Sequence, residues 1–596
     1  MEGRGWDRPG RITGSSRPFS LIAYWILLAG LGALPGCSLV GFWQEDRFEV
    51  ELLPQARLAP GKNLLGLQIY SSGRRARELV AYLELEAPSG QRSRAEARWR
   101  IPGRATRRVK LEFQLAEEGL YGGVLRIYEP ERGVLVQRSA DLQFKVWPRL
   151  GFTADRSYYT AEQLIRFRGR VRGSTSSSQI LQVELWGANI LHERAELAFR
   201  GKEVYGALGA ADLPPGAYEL KARLYGAAGL EDSLLQKVYK YPPGEREIKI
   251  DLFTQTLLKD GEPFFPIGLY WLRSEILGEV KRLRFNAGDY YYKLQGGEIA
   301  ALMDLAAHED IGILLELSDF IRRRDVPDYS SIEALVERYR RHPALLAWYL
   351  IDEPGETGVS PQYTEAVYER IRALDPYHPI YLVNNRPHLY AAHIGASDIL
   401  GIDVYPIPNY PITRVRDYMQ EAHWTSRGRK PVWLVAQAFG GVEHWPRAPT
   451  PVELRNMVYQ GLVQGASGIL FYRYCQEQER HIQSPALWRE MRTLAAELSE
   501  LTPALVAPEW NGRGSTKVAG QGVDLMFKQL EGAYYLFVVN STRKVQKVRF
   551  SPRELPPFGQ IEALHRAPRP RRLNGGFEAD LGPLGAGVYR LELADL

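Results

Sequence analysis

The stretch "AWYLIDEPGE", residues 347–356, decides the fold. An apolar run that reads as a buried strand stops abruptly in Asp352, Glu353 and Pro354. Successive strand side chains point to opposite faces, so the two acids cannot share one, and Pro354 cannot donate to a ladder. The acids therefore stand at a strand-to-loop junction. In a (β/α)8 barrel that junction is the rim where function collects, so the flanking sequence has to supply seven more strands of the same kind.

Between about residues 250 and 505 the text runs strand, loop, amphipathic helix, repeatedly. Candidate strands are "FFPIGLYW" from Phe264, "FNAGDYYY" from Phe285, "IGILLELSD" from Ile311, "LLAWYLIDEP" from Leu345, "IYLVNN" from Ile380, "ILGIDVYP" from Ile399, "VWLVAQAF" from Val432 and "GILFYRY" from Gly468. One intervening helix carries its own punctuation, with Ser360 as N-cap, Pro361 at the first helical position and Pro376 beyond its end. Eight βα units in about 250 residues is the size of a TIM barrel. The doubly wound alternative lacks a Gly-rich phosphate loop after its first strand.

On either side the grammar is all-β, with short alternating strands broken by Gly, Pro and Ser. The expected organisation is a leader over 1–37, a β-sandwich over 38–147, an Ig-like β-sandwich over 148–244, the TIM barrel over 245–507 and a C-terminal β-sandwich over 508–596. A small repeat joins the three sandwiches: Gly119-Leu-Tyr121, Gly216-Ala-Tyr218 and Gly587-Val-Tyr589 each open a late strand. That placement is reminiscent of the tyrosine corner, in which the hydroxyl bonds back to the backbone.

The leader is a different material. Arg4, Arg8, Arg11 and Arg17 precede "LIAYWILLAGLGALPG", a 16-residue apolar run that stops at Cys37. An n-region and h-region of this length read as an export signal and are short for a membrane span. The "LPGC" ending resembles the bacterial lipobox, which implies cleavage before Cys37, acylation of its thiol and a membrane-anchored lipoprotein outside the cytoplasm. Ser38 after the cysteine implies, by the same resemblance, an outer-membrane destination. Cys475 is the other cysteine, and a lipidated Cys37 cannot pair with it. The 76 basic and 70 acidic residues of the 596-residue chain give a net charge of +6 with no polybasic tract, so nucleic acid is not an expected partner. No histidine pair has the spacing of a helix-borne zinc site, and neither metal nor cofactor is expected.

Each candidate strand ends in carboxylates, amides or aromatics. In order these are Tyr270 and Trp271; Asp289 with Tyr290, Tyr291 and Tyr292; Glu316 and Asp319; Asp352 and Glu353; Asn384 and Asn385; Asp403 and Tyr405; Gln437; Tyr472 and Tyr474. Sugars need bidentate hydrogen-bonding groups for their hydroxyls and aromatic platforms for their C–H faces. The rim supplies both.

Residues 245–505 resemble a clan A glycoside hydrolase barrel of the β-galactosidase and β-glucuronidase kind, in "KDGEPFFPIGLYW", "HPALLAWYLIDEPGE", "DILGIDVYPIP" and "PVWLVAQAFGG". The resemblance implies that Glu353, ending strand four, is the general acid/base. An acid kept protonated by a neighbour such as Asp352 suits a poor leaving group. Tyr270, Trp271, Asp289, Tyr291, Glu316, Asp352, Asn384, Tyr405, Gln437 and Tyr472 are the expected substrate contacts. The departure is Gln437, an amide at the strand-seven position where retaining members carry a nucleophilic glutamate. Three readings stay open: another carboxylate (Asp403, Asp289, Glu316 or Glu443) is the partner, the hydrolase is inverting or substrate-assisted, or the barrel binds glycan without cutting it. Asp403 is the leading partner, with Tyr405 expected to hydrogen-bond its charged form and hold its pKa low. A carboxyl separation of about 5 Å is expected for retention and roughly 6.5–9.5 Å for inversion.

Overall fold

The computed structural model describes residues 48–593 except 54–57, 174–175, 177, 291–295, 323–326, 443, 474–483, 510–521, 551–557 and 575. The leader with Cys37, and Tyr291, Tyr292, Glu443, Tyr474 and Cys475, lie outside the described residues. Among the described residues no helix is long and apolar enough to cross a membrane.

Eight parallel strands close into a barrel: β1 Ile267–Leu269, β2 Ala287–Tyr290, β3 Gly312–Glu316, β4 Leu345–Asp352, β5 Ile380–Val383, β6 Ile399–Val404, β7 Val432–Gln437 and β8 Ile469–Tyr472. β8 pairs back onto β1 through Ile267↔Ile469 and its neighbours. All eight correspond to the strands read from the sequence. They are near-continuous apolar runs because helices cover their outer face while the strands' other side chains fill the inside. The interior is built of large side chains, among them Tyr270, Tyr349, Tyr381 and Trp433. The outer layer is a separate apolar cluster in which Leu315, Leu350 and Leu434 meet the helices. The Pro361–Leu374 helix starts as its sequence dictates, with Ser360 Oγ accepting from the Tyr363 N–H.

The flanking regions are pairs of antiparallel sheets. In the first, Gly61–Ser71 pairs with Phe48–Leu52 and Ala105–Leu115, and a four-stranded sheet holds Arg92–Ile101, Arg77–Glu86, Gly119–Glu129 and Val134–Val146. Ala105–Leu115 shows the logic: Val109, Leu111, Phe113 and Leu115 are buried while Arg108, Lys110, Glu112 and Gln114 face water. The second and C-terminal sandwiches each pack a four-stranded on a three-stranded sheet. All three repeated tyrosines bond to backbone. Tyr121 Oη accepts from Ala116 and Glu117 N–H at 3.1 and 3.0 Å, while Tyr218 and Tyr589 donate to the Pro214 and Pro568 carbonyls at 2.7 and 3.0 Å.

The C-terminal sandwich is fastened to the barrel by buried polar contacts. Asn456 Nδ2, on the Pro451–Val463 helix, donates to the Asn540 and Leu584 carbonyls at 2.9 and 3.0 Å. Beside it, buried Arg455 pairs with Glu490 and Glu497 of the Pro485–Leu505 helix at 2.7 and 2.8 Å.

Candidate active site at the barrel mouth

The carboxyl end of β4 turns sharply away from the strand direction. Glu353 N–H donates to the Val383 carbonyl at 3.1 Å, continuing the pairing with β5. Its own backbone then swings left-handed, with φ 48° and ψ 59°, and Pro354 opens a short helix to Thr357. A non-glycine residue held there costs of order 1 kcal/mol, and such strain gathers where a side chain must be aimed.

Asp352 is fixed from two sides. Tyr349 Oη donates to its Oδ1 at 2.7 Å, and Arg322 Nη2, from the loop after β3, lies 2.9 Å from Oδ2. Its backbone N–H donates to Ser318 Oγ at 3.0 Å. Below it the interior tyrosines join hydroxyls: Tyr270 Oη is 3.4 Å from Tyr349 Oη and 3.2 Å from Tyr381 Oη. Tyr270 is thus part of the floor of the mouth, and only 4% of it is exposed.

Asp403, at the end of β6, is buried. No N–H or hydroxyl of a described residue reaches its Oδ1. The Glu353 carboxyl is its neighbour, close enough that each acid shifts the other's pKa. Burial pushes Asp403 well above the usual carboxylate range, and the charge of Glu353 adds to it. Glu353 is raised too, by burial first; Asp403 opposes that shift and the charges of Asp352 and Glu356 reinforce it. The low pKa expected for Asp403 from Tyr405 is therefore corrected: a buried acid facing a second acid is favoured in its neutral form.

Two further acids surround Asp352. Asp289 Oδ1 accepts from the Trp271 N–H at 2.6 Å, while its Oδ2 is buried with no hydrogen-bond partner among the described residues. Burial raises Asp289 and Glu316 well above the usual range, and the Asp352 charge reinforces both. On β5, Asn384 is buried; its Oδ1 accepts from the Arg386 N–H at 3.0 Å and its Nδ2 has no partner among the described residues.

An aromatic wall stands on the β6–β8 side. Tyr405 stacks on Tyr472 at 5.6 Å and 21°, and Phe439 and Trp445 meet Tyr405 edge-on at 5.0 and 5.9 Å. Trp271 closes on Tyr472 at 5.5 Å, with the Arg473 guanidinium 3.9 Å over its ring. Trp271, Tyr405 and Tyr472 are half-buried, each with a part of its surface open to a ligand.

Gln437 stays out of this cleft. It is fully buried, its Oε1 accepts from the Ile407 N–H at 2.9 Å, and its Nε2 donates to the Ile407 and Phe439 carbonyls at 2.7 and 3.3 Å. The amide clips β7 to the segment after β6. A carboxylate could accept the first of those bonds but could make neither donation without carrying a proton, and then only one of the two.

The structure thus brings Asp289, Glu316, Asp352, Glu353 and Asp403 to one end of the barrel, with Trp271, Tyr405 and Tyr472 beside them. Sequence reasoning missed Arg322, Tyr349, Phe439, Trp445 and Arg473. The signal for the first, "RRR" at 322–324 directly after a strand end rich in acids, looks in sequence like any solvated basic run.

No family model and no curated protein sequence matches the chain. Solved structures similar to it include a GH2 β-galacturonidase from Eisenbergiella tayi at 15% identity and TM-score 0.34, covering 74% of this chain and 90% of that one. A β-glucuronidase from Ruminococcus gnavus follows at 12% and 0.33, covering 74% and 89%. A putative glycoside hydrolase from Bacteroides vulgatus aligns at 11% and 0.43, covering 72% and 99%. The chemistry of this mouth is read from its own residues.

Proposed function

We propose that the barrel mouth hydrolyses glycosidic bonds of an oligo- or polysaccharide, with Glu353 as proton donor. The observation that carries this reading is the neighbouring pair of buried acids, Glu353 and Asp403, brought together at the ends of β4 and β6. A glycosidic oxygen leaves only as it is protonated, and an acid useful near neutrality must keep its proton there. Burial does that for Glu353, and the charges of Asp352 and Glu356 add to it. As the C–O bond breaks, the proton passes from Glu353 to the departing oxygen; water then adds to the anomeric carbon and gives a proton back to the Glu353 carboxylate. Asp352, in its ion pair with Arg322, places a carboxylate near the positive charge that develops at the anomeric carbon. Trp271, Tyr405 and Tyr472 offer the faces on which sugar rings stack. Release of reducing ends from a glycan panel, by wild type and by Glu353→Gln, tests the reading.

A second reading, a glycan-binding barrel without catalysis, is favoured by Gln437: the strand-seven position holds a fully bonded structural amide where a nucleophile would stand. Glycan binding in equilibrium dialysis with no reducing ends released selects it. The export and anchoring read from "LPGC" belong to the same proposal: a lipoprotein held at the membrane through Cys37, outside the cytoplasm. Cys37→Ser should release the protein from the membrane fraction or leave an unprocessed precursor, and unchanged fractionation and mass defeat that part.

A further inference from the structure

A second concavity lies outside the barrel mouth, where the Leu277–Arg282 helix, the Pro485–Leu505 helix and the segment at 565–566 meet. It has a volume of about 560 Å³, within the size range of small-ligand clefts. Arg282 and Arg284 stand just before β2 begins, which is the amino end of that strand, so this cleft is separate from the acids gathered at the carboxyl ends. Its lining is basic in excess, with five arginines and His565 against Glu497 and Glu500, and Glu497 is held by Arg455. Arg566 is paired with Glu490 at 2.7 Å, and His565 lies 3.8 Å from Glu500. Arg282, Arg284, Arg489 and Arg492 are exposed, and no acidic group of a described residue forms an ion pair with any of them.

Four like charges converging on one concavity repel each other and gain nothing from the fold. The arrangement becomes favourable when an anion enters. Every unpaired cation is an arginine, and the planar guanidinium fork matches a two-oxygen acceptor such as a carboxylate or sulfate. Among the described residues no exposed large apolar or aromatic side chain belongs to the lining. That removes the platforms on which neutral sugars or nucleic-acid bases stack, and the apolar wedge that a membrane surface would accept. Recognition here rests on charge in a concave groove.

We infer that this cleft binds the anionic groups, carboxylate or sulfate, of an acidic glycan chain, at a site distinct from the barrel mouth. The test uses the full chain carrying Glu353→Gln, so that no probe is consumed, in fluorescence-anisotropy titrations at two salt concentrations. The probes are labelled oligogalacturonate, labelled dextran sulfate, labelled neutral dextran, and anionic phosphatidylglycerol vesicles read by co-sedimentation. Arg282→Gln/Arg284→Gln and Arg489→Gln/Arg492→Gln are compared with Arg92→Gln/Arg94→Gln, which removes two exposed charges on the first sandwich. The expected result is binding of at least one acidic glycan but not neutral dextran, weakened roughly 10-fold by either cleft pair and unchanged by the control pair. Replacing Arg489 and Arg492 by Lys should restore only part of the affinity, because the charge returns without the fork. Equal loss in the control pair, binding of vesicles alone, or no binding of either acidic glycan overturns the inference. Binding through these arginines in a protein whose wild type releases no reducing ends leaves it standing and removes only the hydrolase reading.

Discussion

Asp403→Asn isolates the facing acid from everything else in the mouth. In the wild type, burial raises both acids, Glu353 raises Asp403 further, and Asp403 holds Glu353 lower than burial alone would. Asp403 therefore keeps its proton as Glu353 ionises, and an amide at 403 presents a polar hydrogen in its place without the capacity to ionise. The alkaline limb of kcat, which follows Glu353, should move by less than about 1 pH unit in Asp403→Asn, and turnover at pH 7 should change by less than about 10-fold. Asp403→Leu removes the polar hydrogen as well, so the limb should move up by roughly 1 pH unit. The assay is kcat against pH on whichever glycan the panel identifies, with Glu353→Gln alongside as a variant that loses activity at every pH. A limb that moves down in Asp403→Asn, or a loss of more than ~10²-fold at every pH, would refute this account and make Asp403 the second catalytic carboxylate.

Gln437→Glu should restore no activity and should destabilise the barrel by ~2–4 kcal/mol, measured by urea unfolding, because two buried carbonyls lose their donor and an acid is buried in its place; a gain in turnover contradicts the structural role of the amide. Arg455→Met should cost ~3–5 kcal/mol, since Glu490 keeps Arg566 while Glu497 is left buried without its cation. Asp289 and Glu316 have raised folded-state pKa values, so the stability they contribute is fully present below the unfolded values near pH 4 and is lost as pH rises through the folded ones. Asp289→Asn with Glu316→Gln should accordingly flatten the decline in urea midpoint between pH 5 and 8, gaining on the order of 1–3 kcal/mol at the alkaline end; an unchanged slope counts against neutral acids at the floor of the mouth.

The barrel was legible because each strand is an apolar run bounded by turn residues and each ends in a polar group. Those are local signals, and a packed eight-strand interior imposes them on every strand alike. The tyrosine repeat was legible for the same reason, since each hydroxyl finds backbone close to its own strand. The electrostatics of the mouth were not. Asp403 read as an acid that Tyr405 would hold ionised, because sequence shows neighbours along the strand but not the Glu353 carboxyl facing it from β4. Gln437 read as a vacancy at a catalytic position, and only the fold shows its amide spent on the backbone at Ile407 and Phe439. Arg322 sits in a loop of basic residues that resembles any solvated run until its 2.9 Å approach to Asp352 is seen.

The central claim is that Glu353 delivers a proton to a glycosidic oxygen. Reducing-end release by wild type and Glu353→Gln, measured side by side on one panel of neutral and acidic oligosaccharides, tests it most directly. The account predicts release from at least one glycan by the wild type and a loss of at least ~10²-fold in Glu353→Gln with glycan binding retained. Equal release by the two proteins, or binding by both with release by neither, would contradict it.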